Sequence, residues 1–259
     1  MQSNAKIVVI GLGEVGRPLC NLMSKHHDVL AVDIAQAPAP ERVEVMHVCY
    51  PFQSKDFAGE TERYIRYFRP ELTIINSTVA VGTTRAIAQR TGARVVNSPV
   101  RGKHARMEED MKFYVKFIGA LTPEDGIKAA RHFESSGFKT RLLSSPEATE
   151  LAKLTETSYF GVMIAWAQEV ERYCDQAGVS YDEVVSIYQE IGFFPSVQYF
   201  PGIIGGHCVM PNIEILRKFQ PSALLDAIQA SNRMKIEREA ARIPAGEDTH
   251  PLKPEKVPA

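Results

Sequence analysis

Short runs of consecutive apolar residues, many of them β-branched, recur through the first 143 positions and are separated by segments with helical spacing. Runs that are apolar at nearly every position suit strands covered on both faces, whereas strict alternation marks strands with one wet face. The pattern predicts strands at Lys6–Ile10, Val29–Asp33, Val45–Cys49, Leu72–Asn76, Arg94–Asn97 and Val115–Ile118, with turn signals at Pro38–Pro40, Arg69-Pro70 and Gly92 between them. Strands alternating with helices build parallel sheets through right-handed crossovers, so residues 1–145 are expected to form a doubly wound parallel α/β sheet. From Pro146 the period changes. Leu151, Leu154, Val162, Ile164, Trp166, Val170 and Tyr173 lie in a stretch without internal proline that predicts one long helix over 147–177, with Gly178 as its stop. Further helices are expected at Tyr181–Glu190 and Ser222–Ala241, with a Gly- and Pro-bearing loop from Phe194 to Pro211. Residues 146–242 thus read as a mostly helical second domain. Residues 243–259 hold four prolines and few apolar groups, a composition expected to stay a disordered tail.

Composition narrows the function classes. The 259 residues are 44% apolar and 24% charged, as in ordinary globular proteins. With 30 basic and 31 acidic residues the net charge is −1, which provides no field for nucleic acid or anionic lipid. No run approaches the ~18 apolar residues of a membrane span, and Ile7–Leu12 is too short for a signal peptide, so a cytoplasmic protein without a membrane partner is expected. Cys20, Cys49, Cys174 and Cys208 lie far apart, with no CxxC pair or Cys/His cluster, so neither a disulfide framework nor a metal site is indicated.

Gly11-Leu12-Gly13-Glu14-Val15-Gly16 follows the first predicted strand and opens a helix, the context that a dinucleotide fingerprint requires. Gly11 permits the tight turn, Gly13 removes the side chain that would block a pyrophosphate, and Gly16 lets helix and strand pack closely. Asp33 closes the second strand 22 residues after Gly11, where a carboxylate accepts hydrogen bonds from a ribose 2′-OH and repels a 2′-phosphate. The reading is a Rossmann-type domain that takes NAD rather than NADP. The bland alternative is a glycine turn with no nucleotide.

Four further segments carry a resemblance. Val48-Cys49-Tyr50-Pro51, Asn76-Ser77-Thr78-Val79-Ala80-Val81-Gly82-Thr83-Thr84, Glu150-Leu151-Ala152-Lys153-Leu154 and Gly205-Gly206-His207-Cys208 stand in the order and spacing of the UDP-glucose/GDP-mannose dehydrogenase family. The chain resembles that family's first two domains over roughly residues 6 to 240, and no segment resembles its third, nucleotide-covering domain. The resemblance implies an NAD-dependent enzyme that oxidises a sugar alcohol. Tyr50, Pro51, Ser77 and Thr78 would lie by the cofactor together with Glu14 and Val15, and Thr78 also by the reacting centre. Cys208 would be the nucleophile that forms a thiohemiacetal and then a thioester, and Lys153 would hold the substrate hydroxyl. Thr157, Gly205, Gly206, His207, Asn212 and Asn232 would complete the substrate site, Thr157 replacing an Asn of the family. The resemblance also implies a homodimer through the helical domain, consistent with the broad apolar surface of helix 147–177.

Two positions depart from the resemblance. Ser98-Pro99-Val100 stands where the family has a glutamate that aids thioester hydrolysis, and Asn212 stands where it has an aspartate. Losing one acid–base group commonly costs ~10²–10⁴ in rate. Glu108, Glu109 and Asp110 are substitutes only if they are more than a solvated charged run, and Arg101, Lys103 and His104 are candidates for an anionic substrate group. Three readings therefore stand: a nucleotide-sugar dehydrogenase acting on a sugar nucleotide or a smaller substrate, a β-hydroxyacid dehydrogenase making one hydride transfer with Lys153, and an NAD-binding module without catalysis.

Overall fold

The computed structural model describes residues 6–33, 40–54, 56–102, 104–192, 199–206 and 208–242. The tail 243–259, most of the Pro38–Pro40 turn, and His207 and Lys103 lie outside the described residues. In chain order the elements are β1 (Lys6–Ile10), α1 (Gly16–Met23), β2 (Val29–Val32), β3 (Val43–Val48), α2 (Phe57–Phe68), β4 (Leu72–Ile75), α3 (Thr83–Thr91), β5 (Val95–Asn97), α4 (Met107–Phe113), β6 (Lys116–Ala120), α5 (Pro123–Glu134), β7 (Thr140–Leu143), α6 (Pro146–Ala177), α7 (Tyr181–Gln189), α8 (Val209–Phe219) and α9 (Ala223–Arg242). The six expected strands are present with ends within two residues of expectation. Helix α6 stops at Gly178, whose φ of +71° is the left-handed conformation glycine adopts at little cost.

The strands form one sheet in the order β2-β1-β3-β4-β5-β6-β7. β1 pairs parallel with β2 and β3 in a register that sets Ile10 beside Val32 and Val48, and this brings three strand ends together beneath the glycine turn. Both faces are covered. Ile7 and Val9 point into one apolar core with Leu19, Leu22 and Phe133, and Val8 and Ile10 into another with Ile65, Phe68 and Ile87. This two-sided burial is why the runs are continuously apolar.

Three features differ from expectation. The sheet is not wholly parallel, because β5 and β6 pair antiparallel while β6 and β7 are parallel to each other. The return is made through short α4 rather than a full crossover. Strand β7 carries Thr140 and Arg141 at the sheet edge and is only partly covered, so it lacks the apolar signature of the inner strands. Helix α8 begins inside the segment expected as a loop; its Pro211 sits in the first turn, where the missing N–H has no partner to lose.

Two compact units are present, residues 1–157 with 214–221, and 158–213 with 222–259. The division falls inside α6 and α8. No described helix is long and apolar enough to cross a membrane, and no described group of three or more His, Cys, Asp or Glu residues is arranged to hold a metal.

Candidate functional site

In the first unit the fingerprint glycines differ in what surrounds them. Gly11 takes φ +86°, and a Cβ there would lie 2.8 Å from the Tyr50 amide nitrogen. A Cβ on Gly16 would lie 1.7 Å from the Gly11 carbonyl oxygen, so helix α1 meets the strand end with no room for a side chain. At Gly13 a Cβ would meet nothing within 4 Å. Two glycines are thus demanded by the protein itself, and the third faces open space. Glu14 is exposed, and Val15 leads into α1 without a side-chain cap; in that first turn the Arg17 amide donates to the Gly13 carbonyl at 3.1 Å and Pro18 has no N–H. Asp33 is exposed at the end of β2, and its Oδ1 accepts a 3.5 Å hydrogen bond from the Leu12 amide, which places its carboxylate beside the turn.

The strand ends next to this turn are tied together by side chains. The Ser77 hydroxyl donates to the Tyr50 carbonyl at 2.6 Å, and the Tyr50 phenol shares a 2.5 Å hydrogen bond with Thr61 while its ring packs on Phe57. Burial pushes the Tyr50 phenol well up, so it stays protonated. Pro51 is exposed and Thr78 half-buried at the same edge.

Beneath this edge runs a buried polar chain that the sequence reading missed. Lys116 in β6 donates to the Ser98 carbonyl at 2.5 Å and to Asn76 Oδ1 at 3.1 Å. That fixes the Asn76 amide, whose Nδ2 then donates to His47 Nδ1 at 3.1 Å, leaving His47 Nε2 to donate to His132 Nε2 at 2.8 Å. Burial pulls the Lys116 ammonium down to about 7, and the charge of Lys153 adds to that. Burial also lowers His132 to about 3, with His27 contributing, and holds His47 well below its ordinary value. The available signal was a Lys and a His inside otherwise apolar runs.

Helix α6 is docked at its start by a carboxylate. Glu150, 1% exposed, accepts from the Gly82 amide at 2.7 Å, the Thr84 amide at 2.9 Å and the Thr84 hydroxyl at 2.6 Å. It caps α3, whose own N-cap Gly82 has no side chain to do so. Two of the segments that carried the resemblance are joined here. Burial raises the Glu150 carboxyl above the ordinary range despite those three donors. One turn on, Lys153 Nζ donates to Glu156 Oε2 at 3.3 Å, and Arg101 donates to Glu156 Oε1 from Nε and Nη2 at 2.9 and 2.8 Å. Burial pushes the Glu156 carboxyl up, but Lys153 and Arg101 outweigh it and keep it ionised. Arg101, expected as an anion ligand, is therefore engaged by a carboxylate of the chain, and Glu156 was not foreseen. Thr157 turns its hydroxyl back on the carbonyls of Lys153 and Leu154. Val100 is buried among apolar residues, and Asp110, far from being solvated, is 3% exposed and paired with Arg106.

Cys208 belongs to the second unit. It is exposed and immediately precedes α8, its carbonyl accepting from the Asn212 amide at 3.2 Å. Gly205 and Gly206 before it are exposed, and Gly206 has φ +77°. Asn212 is buried. Asn232, also buried, spends its amide on the backbone: Oδ1 accepts from Ile204 N at 2.7 Å and Nδ2 donates to Ile204 O at 3.0 Å. Cys49 and Cys174 are buried, and burial pushes the Cys49 thiol up to about 12.

Comparison with known proteins follows the same line. Residues 147–234 match the UDP-glucose/GDP-mannose dehydrogenase family, central domain. An NDP-N-acetyl-D-galactosaminuronic acid dehydrogenase of Ralstonia nicotianae is 24% identical over 263 residues, covering 78% of this chain and 62% of its own length. The chain thus spans about three fifths of that curated relative. Among solved structures, a UDP-N-acetyl-mannosamine dehydrogenase from Staphylococcus aureus superposes with a TM-score of 0.77 at 20% identity, covering 92% of this chain and 69% of that one. A 3-hydroxyisobutyrate dehydrogenase from Mycobacterium tuberculosis superposes with a TM-score of 0.61 at 19% identity, covering 93% of this chain and 89% of that one. Over residues 147–234 the chain is thus similar to the central domain of the UDP-glucose/GDP-mannose dehydrogenase family, and it shares its fold with the solved dehydrogenases.

Proposed function

We propose that the protein is an NAD-dependent oxidoreductase that oxidises an alcohol of a sugar nucleotide or a related smaller substrate, with Cys208 as nucleophile. The observation that carries the cofactor reading is the contrast among the glycines: Gly11 and Gly16 are required by packing, whereas Gly13 faces only open space. A glycine with no packing reason at that position fits a pyrophosphate lying against it, with Asp33 on the adenosine ribose. Tyr50, Pro51, Ser77 and Thr78 would hold the rest of the dinucleotide. When bound, NAD supplies the acceptor for the hydride that leaves the substrate carbon. Lys153 would orient the substrate hydroxyl and stabilise the alkoxide as its proton departs. Cys208 Sγ would then add to the resulting aldehyde carbon, the carbonyl oxygen taking a proton to give a thiohemiacetal. Loss of a second hydride, for which a second NAD would be the acceptor, would give a thioester, and water would release the acid and restore the thiol. Thr157, Gly205, Gly206 and Asn212 would contact the substrate.

The test is Gly13→Ala: the folded protein should keep its stability within about 0.5 kcal/mol, since nothing crowds the new methyl, while NAD affinity falls at least tenfold. Equal losses in both, or neither, would remove the cofactor reading. Cys208→Ser separately tests the covalent step; full acid formation by that variant would exclude it.

A second reading, one hydride transfer as in a hydroxyacid dehydrogenase, is favoured by buried Val100 where the resemblance has a hydrolytic glutamate. Two NADH per substrate support the first reading and one supports the second. Self-association through the second unit is supported by exposed Tyr159, Phe160, Trp166 and Tyr173 on α6. A cytoplasmic location goes with this reading.

A further inference from the structure

We infer that Asn232, Gln168 and Gly161 are positioning residues for the Cys208 thiol, acting from α9 and α6 on the chain to either side of it. The inference rests on the reading of Cys208 as the reacting group. Residues 199–206 lie in no helix or strand, so their backbone groups need partners from elsewhere. Besides the Gly202 amide, which donates to the Phe200 carbonyl at 2.8 Å, side chains provide them. Asn232 pairs with both backbone groups of Ile204, as a neighbouring strand would, and Gln168 Nε2 donates to the Gly202 carbonyl at 2.7 Å. Gln168, 0% exposed, is itself held by the Ser231 hydroxyl, which donates to its Oε1 at 2.9 Å. The segment is therefore anchored two and four residues ahead of Gly206, at polar groups that cannot be released cheaply.

On the far side of the thiol, Val209 and Ile213 seat the first turn of α8 on α6 at Gly161. A Cβ on Gly161 would lie 2.9 Å from Val209 Cγ1 and 3.3 Å from Ile213 Cδ1. Gly161 sits mid-helix, where glycine costs about 1 kcal/mol relative to alanine, and its smallness is what admits α8 so closely. Cys208 is thus held between a clamp and a seat, with the unrestrained glycines Gly205 and Gly206 between them.

Rate of alkylation by iodoacetamide at neutral pH tests this without requiring turnover, with peptide mass spectrometry separating Cys208 from Cys20. Alkylation reads how the thiol is presented, and the clamp and the seat fix that presentation through the chain on either side of it. Because the thiol is already exposed, loosening the loop adds no access and only disturbs that presentation. Asn232→Leu is expected to slow alkylation at least fivefold, Gly161→Ala two- to threefold. If Asn232→Leu does not fold, Asn232→Asp serves, since it keeps the acceptor for Ile204 N and loses the donor to Ile204 O. Rates within 1.5-fold of the parent, or faster, in the folded variants overturn the inference, because a merely structural role would lower the thermal midpoint without changing reactivity per folded molecule. Full activity of Cys208→Ser would instead remove the catalytic reading and leave the alkylation result standing.

Discussion

The two glycine-bearing turns of this protein are built on opposite plans. The Gly11–Gly16 turn is shaped by backbone: Gly16 is pressed against the Gly11 carbonyl, and Gly11 against the Tyr50 amide. The segment before Cys208 is shaped by side chains reaching in from α6 and α9, and a Cβ on Gly205 or Gly206 would meet nothing within 4 Å. A backbone turn is written in a few adjacent residues. A clamped loop depends on Gln168 and Asn232, which lie 34 and 28 residues from the groups they hold. Both plans leave exposed residues at the turn, but they fail in different ways when altered.

The sharpest break in that contrast is Gly16→Ala, whose methyl can be accommodated only by moving backbone; it should destabilise the fold by about 3 kcal/mol and abolish measurable NAD binding, read by denaturant unfolding and titration. Next comes the cap on α3. Glu150→Ala leaves one buried amide, one part-buried amide and a buried hydroxyl without their acceptor and should cost about 2–3 kcal/mol, with NAD affinity changed far less. The polar chain under the sheet gives a pH signature in place of a fixed loss. Lys116 titrates at about 7 in the fold against about 10.4 unfolded, so between those values the unfolded chain holds more protons and stability rises with pH. Lys116→Met should flatten that rise, as urea unfolding at pH 7, 8 and 9 would reveal. His132 acts in the same sense lower down: stability present above about 6.5 is lost as pH falls toward about 3. The smallest effect is Gly205→Ala, expected within about 0.5 kcal/mol of the parent because that position has neither a positive φ nor a neighbour. A large loss there would erase the distinction between the two turns.

Much of the fold was legible because its signals are local. Two-sided burial writes itself as continuous apolar strands, and the fingerprint glycines, Gly178 and the proline-free run of α6 each mark an element by their own conformational limits. The edge strand β7, the antiparallel return at β6 and the helix α8 were not, since a half-covered strand and a helix opening on Met210-Pro211 carry no such signal.

By itself, the order of residues determined that a mostly parallel sheet with a glycine turn after its first strand precedes a long helix, because backbone freedom and apolar periodicity are properties of neighbours in the chain. Which polar groups meet was decided only by folding. Lys116 with Asn76, Glu150 with the start of α3, Glu156 with Arg101 and Asn232 with Ile204 are separated by 28 to 68 residues, and each pairing exists because burial leaves a donor or acceptor that must find its partner across the structure rather than along the sequence.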